Sequence, residues 1–385
     1  MNVAEIDCHI LDENIEAIAE WLPRGCKLAA VVKGDAYGHG LRGMAHVLGH
    51  NPKVHMLVVA SLEEALIAIE CQTAKPVLVL NRHFANEVEV ILSEACEEQK
   101  HRIADRIIFS AYRVEDVEEY AALGERMQVR FSMHLRLDFS VGLKGVDRQQ
   151  YREHRELLLR EDRVHICGIY AHLYSAYGAD PDSGKADIEE YLTEFERIPC
   201  NRKKGLTLHL LSSVSAYRYP EATLDMVRIG VSVYGLPVRG KAPLVRPILS
   251  IFATVVSCVE AQGPARTDYF GELPEEVNRV ALLSIGSWDI PRMLAPVADA
   301  KGNQVEKYVK IGPHLCRLVG MSCMDTCCAD ITGLDDIREG DTVTVLGEEE
   351  GVRLEDWLER SALSPEDCQM LFEGMSRLKK QYIER

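Results

Sequence analysis

The feature that most constrains the fold is an alternation of short apolar runs with longer amphipathic segments through the first two thirds of the chain. Eight of these runs are rich in β-branched and other apolar residues, as strands are, and helical patterns separate them. The runs are 27–32, 55–59, 76–80, 106–110, 127–137, 165–171, 206–211 and 226–233. This repeat is typical of a parallel sheet with crossover helices. Eight strands at this spacing predict an α/β fold of the (β/α)₈ barrel type rather than a doubly wound sheet.

Beyond about residue 237 the pattern changes. Short strand-like runs between 248 and 346 are separated by glycine, proline and charged turns, and helical patterns follow at 353–363 and 365–378. A chain of 385 residues is long enough for a barrel and a second domain. We therefore predict a barrel domain at 1–237 and a mainly-β domain at 238–385.

Composition excludes several classes of protein. The chain has 44 basic and 60 acidic residues, a net charge of −16, and no basic stripe, so it is not expected to bind nucleic acid. No apolar run approaches the roughly 20 residues of a membrane span, which predicts a soluble protein with no membrane partner. The first residues lack a basic start followed by an apolar run, so a cytoplasmic location is expected.

The twelve cysteines are scattered, which predicts reduced and mostly buried thiols rather than a disulfide framework. Only Cys323, Cys327 and Cys328 crowd together. Their Cys-x₃-Cys-Cys spacing has no accompanying histidine pattern, so it is a weak signal for zinc. We predict no metal site.

Lys33 follows the first apolar run directly, within the string AAVVKGDAYGHG at 29–40. Barrel enzymes carry their catalytic groups at the C-terminal ends of the strands. Burial there favours the neutral amine, which can form a Schiff base with a carbonyl. On position alone, however, a solvated lysine that caps the strand is the more common case.

The same string resembles the hallmark of the alanine racemase family, a group of pyridoxal-phosphate enzymes, and differs from it only at Gly34. Other segments resemble further parts of that family in the same order, and together they span nearly the whole chain. They lie at 4–7, 59–65, 168–172, 208–213, 225–235 and 324–325. The resemblance implies a pyridoxal-phosphate-dependent isomerase that racemises alanine or another small amino acid. It also implies a head-to-tail homodimer, in which the second domain completes the active site of the partner subunit.

The resemblance implies three catalytic residues. Lys33 would bind the cofactor through its amine and act as acid and base on one face of the substrate Cα. Arg228 would face the pyridine nitrogen; because a guanidinium keeps its proton, it would weaken the ring as an electron sink. His172 would pack beside the ring, although a histidine at a strand end is on its own more often structural.

A second group of residues is implied to bind the cofactor phosphate. Tyr37 and Ser213 would do so through hydroxyl groups, and Gly230 and Val231 through backbone N–H groups, since a glycine allows a close approach. The assignment of Ser213 rests on the resemblance, because Ser212 and Ser215 lie near it in the sequence.

The chain departs from the family pattern at the second base, which is a tyrosine in the family. A racemase removes a proton from one face of Cα and returns one to the other, so two bases are the simplest design. Here Ser287 stands in the place of that tyrosine, within a segment at 285–292 that is shorter than expected. A serine hydroxyl is too weak an acid and too short to replace it.

Further departures affect the substrate side. Arg136 stands where the family usually has a lysine, often carbamylated, which supports an arginine that falls at Leu143 here; Lys144 is a neighbouring replacement. Met324 and Asp325 match a segment that binds the substrate carboxylate. We therefore predict Arg136, Met324 and Asp325 as substrate-binding residues. Near the C-terminus, Ser376 occupies the place of a phosphate-contacting tyrosine, and Tyr382 lies further on.

Cofactor binding thus looks retained, while control of the reaction looks changed. The prediction is a racemase that acts through Lys33. The alternatives are a relative with a single-base reaction, such as a lyase, decarboxylase or epimerase, and a catalytically silent protein that binds pyridoxal phosphate.

Overall fold

The structure is a computed structural model that describes residues 2–71, 73–140, 142–159, 162–178, 180, 182–238, 240, 242–261, 266–267, 271–298, 302, 304–361, 363 and 365–384. Its strands are β1 (Val3–Asp7), β2 (Lys27–Val31), β3 (Val54–Val59), β4 (Val77–Val79), β5 (Ile107–Ala111), β6 (Ser132–Leu137), β7 (His165–Ala171), β8 (Thr207–His209), β9 (Met226–Ile229), β10 (Leu249–Glu260), β11 (Arg266–Thr267), β12 (Gly271–Glu272), β13 (Arg279–Leu283), β14 (Tyr308–Ile311), β15 (His314–Val319), β16 (Cys327–Asp330), β17 (Thr342–Leu346) and β18 (Lys379–Ile383).

The α-helices are α1 (Cys8–Trp21), α2 (Lys33–Tyr37), α3 (Leu41–His50), α4 (Leu62–Glu70), α5 (Ala85–Glu94), α6 (Glu97–Arg106), α7 (Val114–Met127), α8 (Arg148–Leu158), α9 (Lys185–Glu196), α10 (Cys200–Lys203), α11 (Ser213–Arg218), α12 (Pro291–Leu294) and α13 (Leu354–Ser361). Short 3-10 helices cover Tyr174–Tyr177, Pro220–Ala222, Val231–Tyr234, Pro365–Phe372 and Met375–Arg377. Among the described residues, no helix is both long and apolar enough to cross a membrane.

The first sheet contains the eight strands β2 to β9, all parallel to their neighbours, in the order β8-β7-β6-β5-β4-β3-β2-β9. The first strand of the set therefore pairs with the last. An isolated bridge between Ser212 and Arg228 joins the β8 and β9 ends of this sheet. The predicted (β/α)₈ barrel is confirmed as a nearly closed barrel with crossover helices.

Alternate residues of the barrel strands serve two different cores. In β2, Leu28 and Ala30 belong to the large cluster that includes the surrounding helices, whereas Ala29 and Val31 belong to a small cluster with side chains from β3, β4, β5 and β9. Because successive side chains of a strand point to opposite faces, the small cluster fills the barrel interior. The β2–β5 side of the interior is thus packed with apolar side chains, whereas buried polar side chains such as His134, His209 and Arg228 come from β6, β8 and β9.

The run at 226–233 extends past the end of β9 at Ile229, because Val231–Tyr234 form a 3-10 helix. Two further predicted segments differ from the observed elements. The run at 127–137 starts too early, because α7 continues to Met127 and ends with Gln128 in a left-handed conformation before β6 begins. The helical pattern at 365–378 forms 3-10 turns, with Gly374 at a φ of 81° between them. In both places apolar residues around a helix terminus imitate the period of the wrong element.

The second sheet is mostly antiparallel and has the order β13-β16-β15-β14-β17-β10-β1-β18, with β13 also pairing with β10. The predicted mainly-β second domain is confirmed as a fold class. β1 lies in this second sheet, antiparallel to β10 and parallel to β18. The boundary at residue 237 stays a prediction, because the chain enters the second sheet before it builds the barrel.

Candidate active site

A cavity of about 840 Å³ opens at the C-terminal ends of the barrel strands. Eight of the predicted site residues line it, as does Lys144. They are Lys33, Tyr37, Arg136, His172, Ser213, Arg228, Gly230 and Val231. Met324 and Asp325 are not among the residues that line this cavity.

Lys33 begins a left-handed turn. The next four residues, Gly34 to Tyr37, have φ values of 64°, 53°, 53° and 53°. Side-chain-bearing residues rarely adopt this conformation, and it costs each of them roughly 1 kcal/mol or more. A strained segment persists only where its surroundings hold it, so the bonds that hold this turn matter for Lys33.

Two carboxylates hold the turn. Glu64, at the start of α4, accepts a hydrogen bond from the Gly34 N–H at 2.6 Å and another from the Ala60 N–H at 2.8 Å. Asp35 accepts one from the Leu41 N–H at 2.7 Å, at the start of α3. The lysine is therefore anchored through the first turns of two helices.

The amine of Lys33 lies among other cations. Burial, the largest cause, lowers the pKa of Lys33; Glu64 opposes this effect, whereas the positive charges of Arg136, Arg228 and Lys144 add to it. A lowered pKa increases the fraction of neutral amine at neutral pH. That is the form which attacks a carbonyl or accepts a proton.

Tyr37, Ser213 and Gly230 meet on the β8–β9 side of the mouth. The Gly230 N–H donates to Ser213 Oγ at 3.1 Å, and a Cβ at Gly230 would stand 2.6 Å from the Tyr37 hydroxyl oxygen. Burial raises the pKa of Tyr37, so the hydroxyl keeps its proton and can donate it. The absence of a side chain at Gly230 thus creates a small cradle of donors, which fits a phosphate group.

Arg228 is buried below this cradle. Its guanidinium donates to His209 Nδ1 at 2.6 Å, to the Ala171 carbonyl at 2.8 Å and to the Leu210 carbonyl at 3.0 Å. Burial lowers its pKa to about 10, which still leaves it protonated at neutral pH. The arrangement fits a fixed cation that faces a ring nitrogen.

A pair of buried histidines supports Arg228. Because the guanidinium can only donate, His209 Nδ1 is an acceptor and His209 Nε2 carries the proton, which points to His134 Nδ1 at 3.0 Å. Burial lowers the pKa of His134 to about 3 and that of His209 well below its ordinary value, so both rings are neutral. Neither histidine was predicted as a site residue from the sequence. The signal that could have found them is a histidine within an apolar strand run, since such a residue needs a buried partner.

On the opposite side of the mouth, Arg136 makes a different set of contacts. Its guanidinium donates to the Tyr112 hydroxyl at 2.6 Å, the Leu80 carbonyl at 3.3 Å and the Tyr174 hydroxyl at 3.1 Å. Arg136 is buried, and among the residues that the structure describes it pairs with no carboxylate. It is therefore a buried cation whose hydrogen-bond partners among the described residues are all neutral.

His172 lies between the two sides. Its ring centroid is 4.7 Å from that of Tyr174, edge to face, and 5.8 Å from that of Tyr177. Burial and the nearby charges of Arg228 and Arg136 lower its pKa to about 3. A neutral, ring-packed histidine fits a place beside a planar cofactor.

The remaining predicted residues lie in the second domain. The Ser287 N–H donates to the Cys323 carbonyl at 2.8 Å, and the Trp288 N–H donates to the Met324 carbonyl at 2.9 Å. Asp325 pairs with Arg377 at 2.7 Å. The segment that contains Ser287 therefore lies against the segment that contains Met324, and neither residue is among those that line the Lys33 cavity.

The cysteine cluster has a buried member. Burial raises the pKa of Cys327, and no disulfide joins two cysteines among the residues that the structure describes. No group of three or more histidine, cysteine or acidic side chains among the described residues is arranged to hold a metal ion.

Comparison with known proteins gives a family match to each part of the chain. The model for the alanine racemase N-terminal domain matches residues 6–237, and that for the alanine racemase C-terminal domain matches residues 273–382. The alanine racemase of Nostoc sp. is 27% identical over 365 residues, which are 92% of this chain and 89% of that protein. The enzyme of Geobacillus stearothermophilus is 26% identical over 353 residues, with 89% and 84% covered.

Solved structures give the same fold. An alanine racemase of Clostridium difficile 630 superimposes with a TM-score of 0.82 at 20% identity, covering 100% of this chain and 96% of that one. The alanine racemase of Bartonella henselae with covalently bound pyridoxal phosphate gives 0.77 at 21% identity, with 99% of both chains covered.

Proposed function

Because this chain belongs to the alanine racemase family, we propose that it is a pyridoxal-phosphate-dependent racemase of alanine or another small amino acid. The observation that carries the proposal is that Lys33, the Tyr37–Ser213–Gly230 cradle and Arg228 line one cavity at the barrel mouth. The family relationship favours this function over a single-base lyase, decarboxylase or epimerase and over a silent cofactor-binding protein.

The residues present fit the cofactor at both of its ends. When bound, pyridoxal phosphate supplies a conjugated ring that withdraws electrons from the substrate Cα and makes its hydrogen acidic. Tyr37 and Ser213 would donate hydroxyl protons to the phosphate. Lys33 would hold the cofactor covalently, then move a proton on one face of Cα through its amine.

Arg228 would restrict the reaction. It holds a proton at neutral pH and is fixed by His209 and two backbone carbonyls, so it would donate to the ring nitrogen without giving up that proton. Less charge then moves into the ring, and side reactions that need a strong electron sink are disfavoured. A simple proton transfer at Cα fits this restraint.

We also propose a homodimer in which the second domain of one copy completes the cavity of the other. Met324 is 37% exposed and neighbouring Trp288 is 57% exposed, although both lie in segments that the resemblance connects with the substrate. Exposed apolar side chains of this size are typical of an interface. Arg136 and the partner's copies of Met324 and Asp325 would then bind the substrate. We also propose a cytoplasmic location, because a chain with twelve cysteines and no disulfide among its described residues is typical of a reducing compartment.

The test is Cα proton exchange in heavy water with a panel of L- and D-amino acids, followed by chiral analysis. We expect deuterium to enter Cα of a small amino acid with inversion. In Lys33→Ala, cofactor absorbance that borohydride fixes to the protein should be lost, whereas Lys144→Ala should keep it. Exchange with retention would favour the single-base alternatives, and an unchanged Lys33→Ala spectrum would reject Lys33 as the attachment site.

A further inference from the structure

We infer that Tyr174 of the same chain is the acid and base on the face of the substrate Cα opposite to Lys33. It would take the role for which the family uses a tyrosine at the place of Ser287. The inference rests on the proposed racemase function, because only a reaction that inverts Cα needs two proton-transfer groups on opposite faces. Tyr174 begins the 3-10 turn that follows β7 and lines the same cavity as Lys33.

The order of the barrel strands places the two groups across the mouth from each other. Lys33 follows β2, and the strand order runs β6-β5-β4-β3-β2 through one half of the barrel, so β6 is opposite β2. Arg136, on β6, holds the Tyr174 hydroxyl oxygen at 3.1 Å. The oxygen is thereby fixed on the far side of the cavity from the Lys33 amine.

The charges around Tyr174 suit a hydroxyl that loses and regains its proton. Arg136 is buried and pairs with no carboxylate among the described residues, and a buried unpaired cation is costly. An ionised Tyr174 would give it an anionic partner at hydrogen-bond distance. The Lys144 ammonium, 5.9 Å from the centre of the Tyr174 ring, adds a second cation on the same side.

The position of His172 brings Tyr174 next to the cofactor. The two rings pack edge to face at 4.7 Å, and His172 is the residue proposed to lie beside the cofactor ring. The Tyr174 hydroxyl accepts from Arg136, but no described residue accepts its own proton, and its side chain is half exposed. That proton is free to move to a substrate.

Other hydroxyl groups at the mouth are placed differently. The Tyr112 hydroxyl donates to the Leu80 carbonyl at 2.8 Å while it accepts from Arg136, so its proton is engaged with a buried group. The Tyr177 hydroxyl lies 3.4 Å from Ser212 Oγ, on the phosphate side. Ser287 donates to the Cys323 carbonyl at 3.1 Å.

The proton transfers balance as follows. In one direction the phenolate oxygen of Tyr174 would take the Cα proton, so the C–H bond would break, an O–H bond would form, and the electron pair would stay with the substrate, where the bound cofactor would stabilise it. The Lys33 ammonium then gives a proton to the opposite face, breaking N–H and forming C–H. The reverse direction exchanges the two roles, and solvent restores the starting protonation.

The experiment compares the holoenzyme variants Tyr174→Phe, Tyr308→Phe and Ser287→Ala. We expect Tyr174→Phe to lose racemisation by about 10²-fold or more, which is the usual contribution of a general acid–base group. It should still exchange the Cα hydrogen of one enantiomer with heavy water, because Lys33 continues to act on its own face. Tyr308→Phe changes a tyrosine of β14 that does not line the cavity, so it should racemise at a rate within about threefold of the wild type. Ser287→Ala should lose far less racemisation than Tyr174→Phe.

A binding measurement separates proton transfer from a structural role. The probe is 2-aminoisobutyrate, an amino acid without a Cα hydrogen, and the readout is the change in cofactor absorbance as it displaces Lys33. Tyr174→Phe should bind it with a dissociation constant close to that of the wild type. A weakened affinity together with equal loss of exchange for both enantiomers would overturn the inference, as would a large loss in Ser287→Ala.

Different results would contradict the racemase function and the assignment of Tyr174. If the wild-type holoenzyme exchanges Cα protons without inversion, the racemase function fails and Tyr174 loses its role with it. If the wild type inverts Cα and Tyr174→Phe inverts it equally fast, only the assignment of Tyr174 is wrong.

Discussion

Two buried arginines face the same cavity from opposite sides, and they are held in different ways. Arg228, on the β8–β9 side, donates to three backbone carbonyls and to the ring of His209, which in turn donates to His134. Arg136, on the β5–β7 side, is held by one carbonyl and by the hydroxyl groups of two tyrosines.

The position of Arg228 therefore depends mainly on the backbone of the barrel, whereas the position of Arg136 depends mainly on other side chains. Backbone acceptors keep their positions as long as the barrel is folded. Substitution of neighbouring side chains should therefore move Arg228 little. Tyrosine hydroxyls can be exchanged by single substitutions without disturbing a strand. Arg136, where the sequence predicts a departure from the family pattern, lies on the β5–β7 side.

The largest expected effect is a loss of stability at low pH, caused by the buried pair His134 and His209, which we call the histidine relay. His134 has a pKa of about 3, and the pKa of His209 is also far below its ordinary value, whereas in the unfolded chain each titrates near 6.5. As the pH falls from about 6.5 towards 3, only the unfolded state takes up these protons, so the free energy of unfolding falls by up to about 1.4 kcal/mol per pH unit for each histidine. Denaturant unfolding at a series of pH values measures the slope.

The control removes one histidine of the buried pair. His134→Gln should remove one histidine's share of the slope between about pH 6.5 and 4, with the wild-type protein as the reference. A slope unaffected by His134→Gln would mean that the relay does not couple protons to folding.

The next effect compares the two arginines directly. Arg228→Met removes the donor to three backbone carbonyls and to His209 Nδ1, so we expect the free energy of unfolding to fall by about 3 kcal/mol. In Arg136→Met, Tyr112 still donates to the Leu80 carbonyl, and an unpaired buried charge is removed. We therefore expect a change below about 1 kcal/mol. Denaturant unfolding of both variants checks the order, and equal losses would remove the distinction between the two sides.

The smallest effect concerns the phosphate cradle. In Gly230→Ala the new Cβ would lie 2.6 Å from the Tyr37 hydroxyl oxygen. We therefore expect the free energy of cofactor binding to weaken by about 1.4 kcal/mol, which is a tenfold higher dissociation constant for the cofactor. Tyr37→Phe removes that oxygen. In a double-mutant cycle, the two changes should therefore cost less together than the sum of their separate losses. Strict additivity, measured by cofactor titration, would mean that the close contact does not matter.

The sequence predicts the fold well because both domains follow simple hydrophobic periods. The strands of the barrel are buried on both faces and appear as continuous apolar runs, so all eight could be located. β16 and β18 were not predicted, because Cys327–Asp330 and Lys379–Ile383 carry polar residues and lack a clear alternation. The membership of β1 in the second sheet depends on pairing across more than 240 residues, which no local pattern encodes.

The candidate site was predictable only in part. Lys33, Arg228 and the phosphate-side residues lie in strings that resemble the family closely, and the barrel brings them together. The contacts of Tyr174 arise from the turn after β7 and from Arg136 on the neighbouring strand, and their meeting is a property of the tertiary structure. The strain of the Lys33 turn is likewise invisible in a string with only one glycine among its four left-handed residues.

The position of β1 between β10 and β18 also has a consequence for synthesis on the ribosome. β1 emerges before every barrel strand, yet its partners, Leu249–Glu260 and Lys379–Ile383, emerge after the last of them. The barrel can therefore close while the backbone N–H and C=O groups of Val3–Asp7 still lack their partners in β10 and β18. Such a strand is a template for pairing with another nascent chain. Slow translation of the second domain would prolong that exposure, and chaperones that cover extended segments would shorten it.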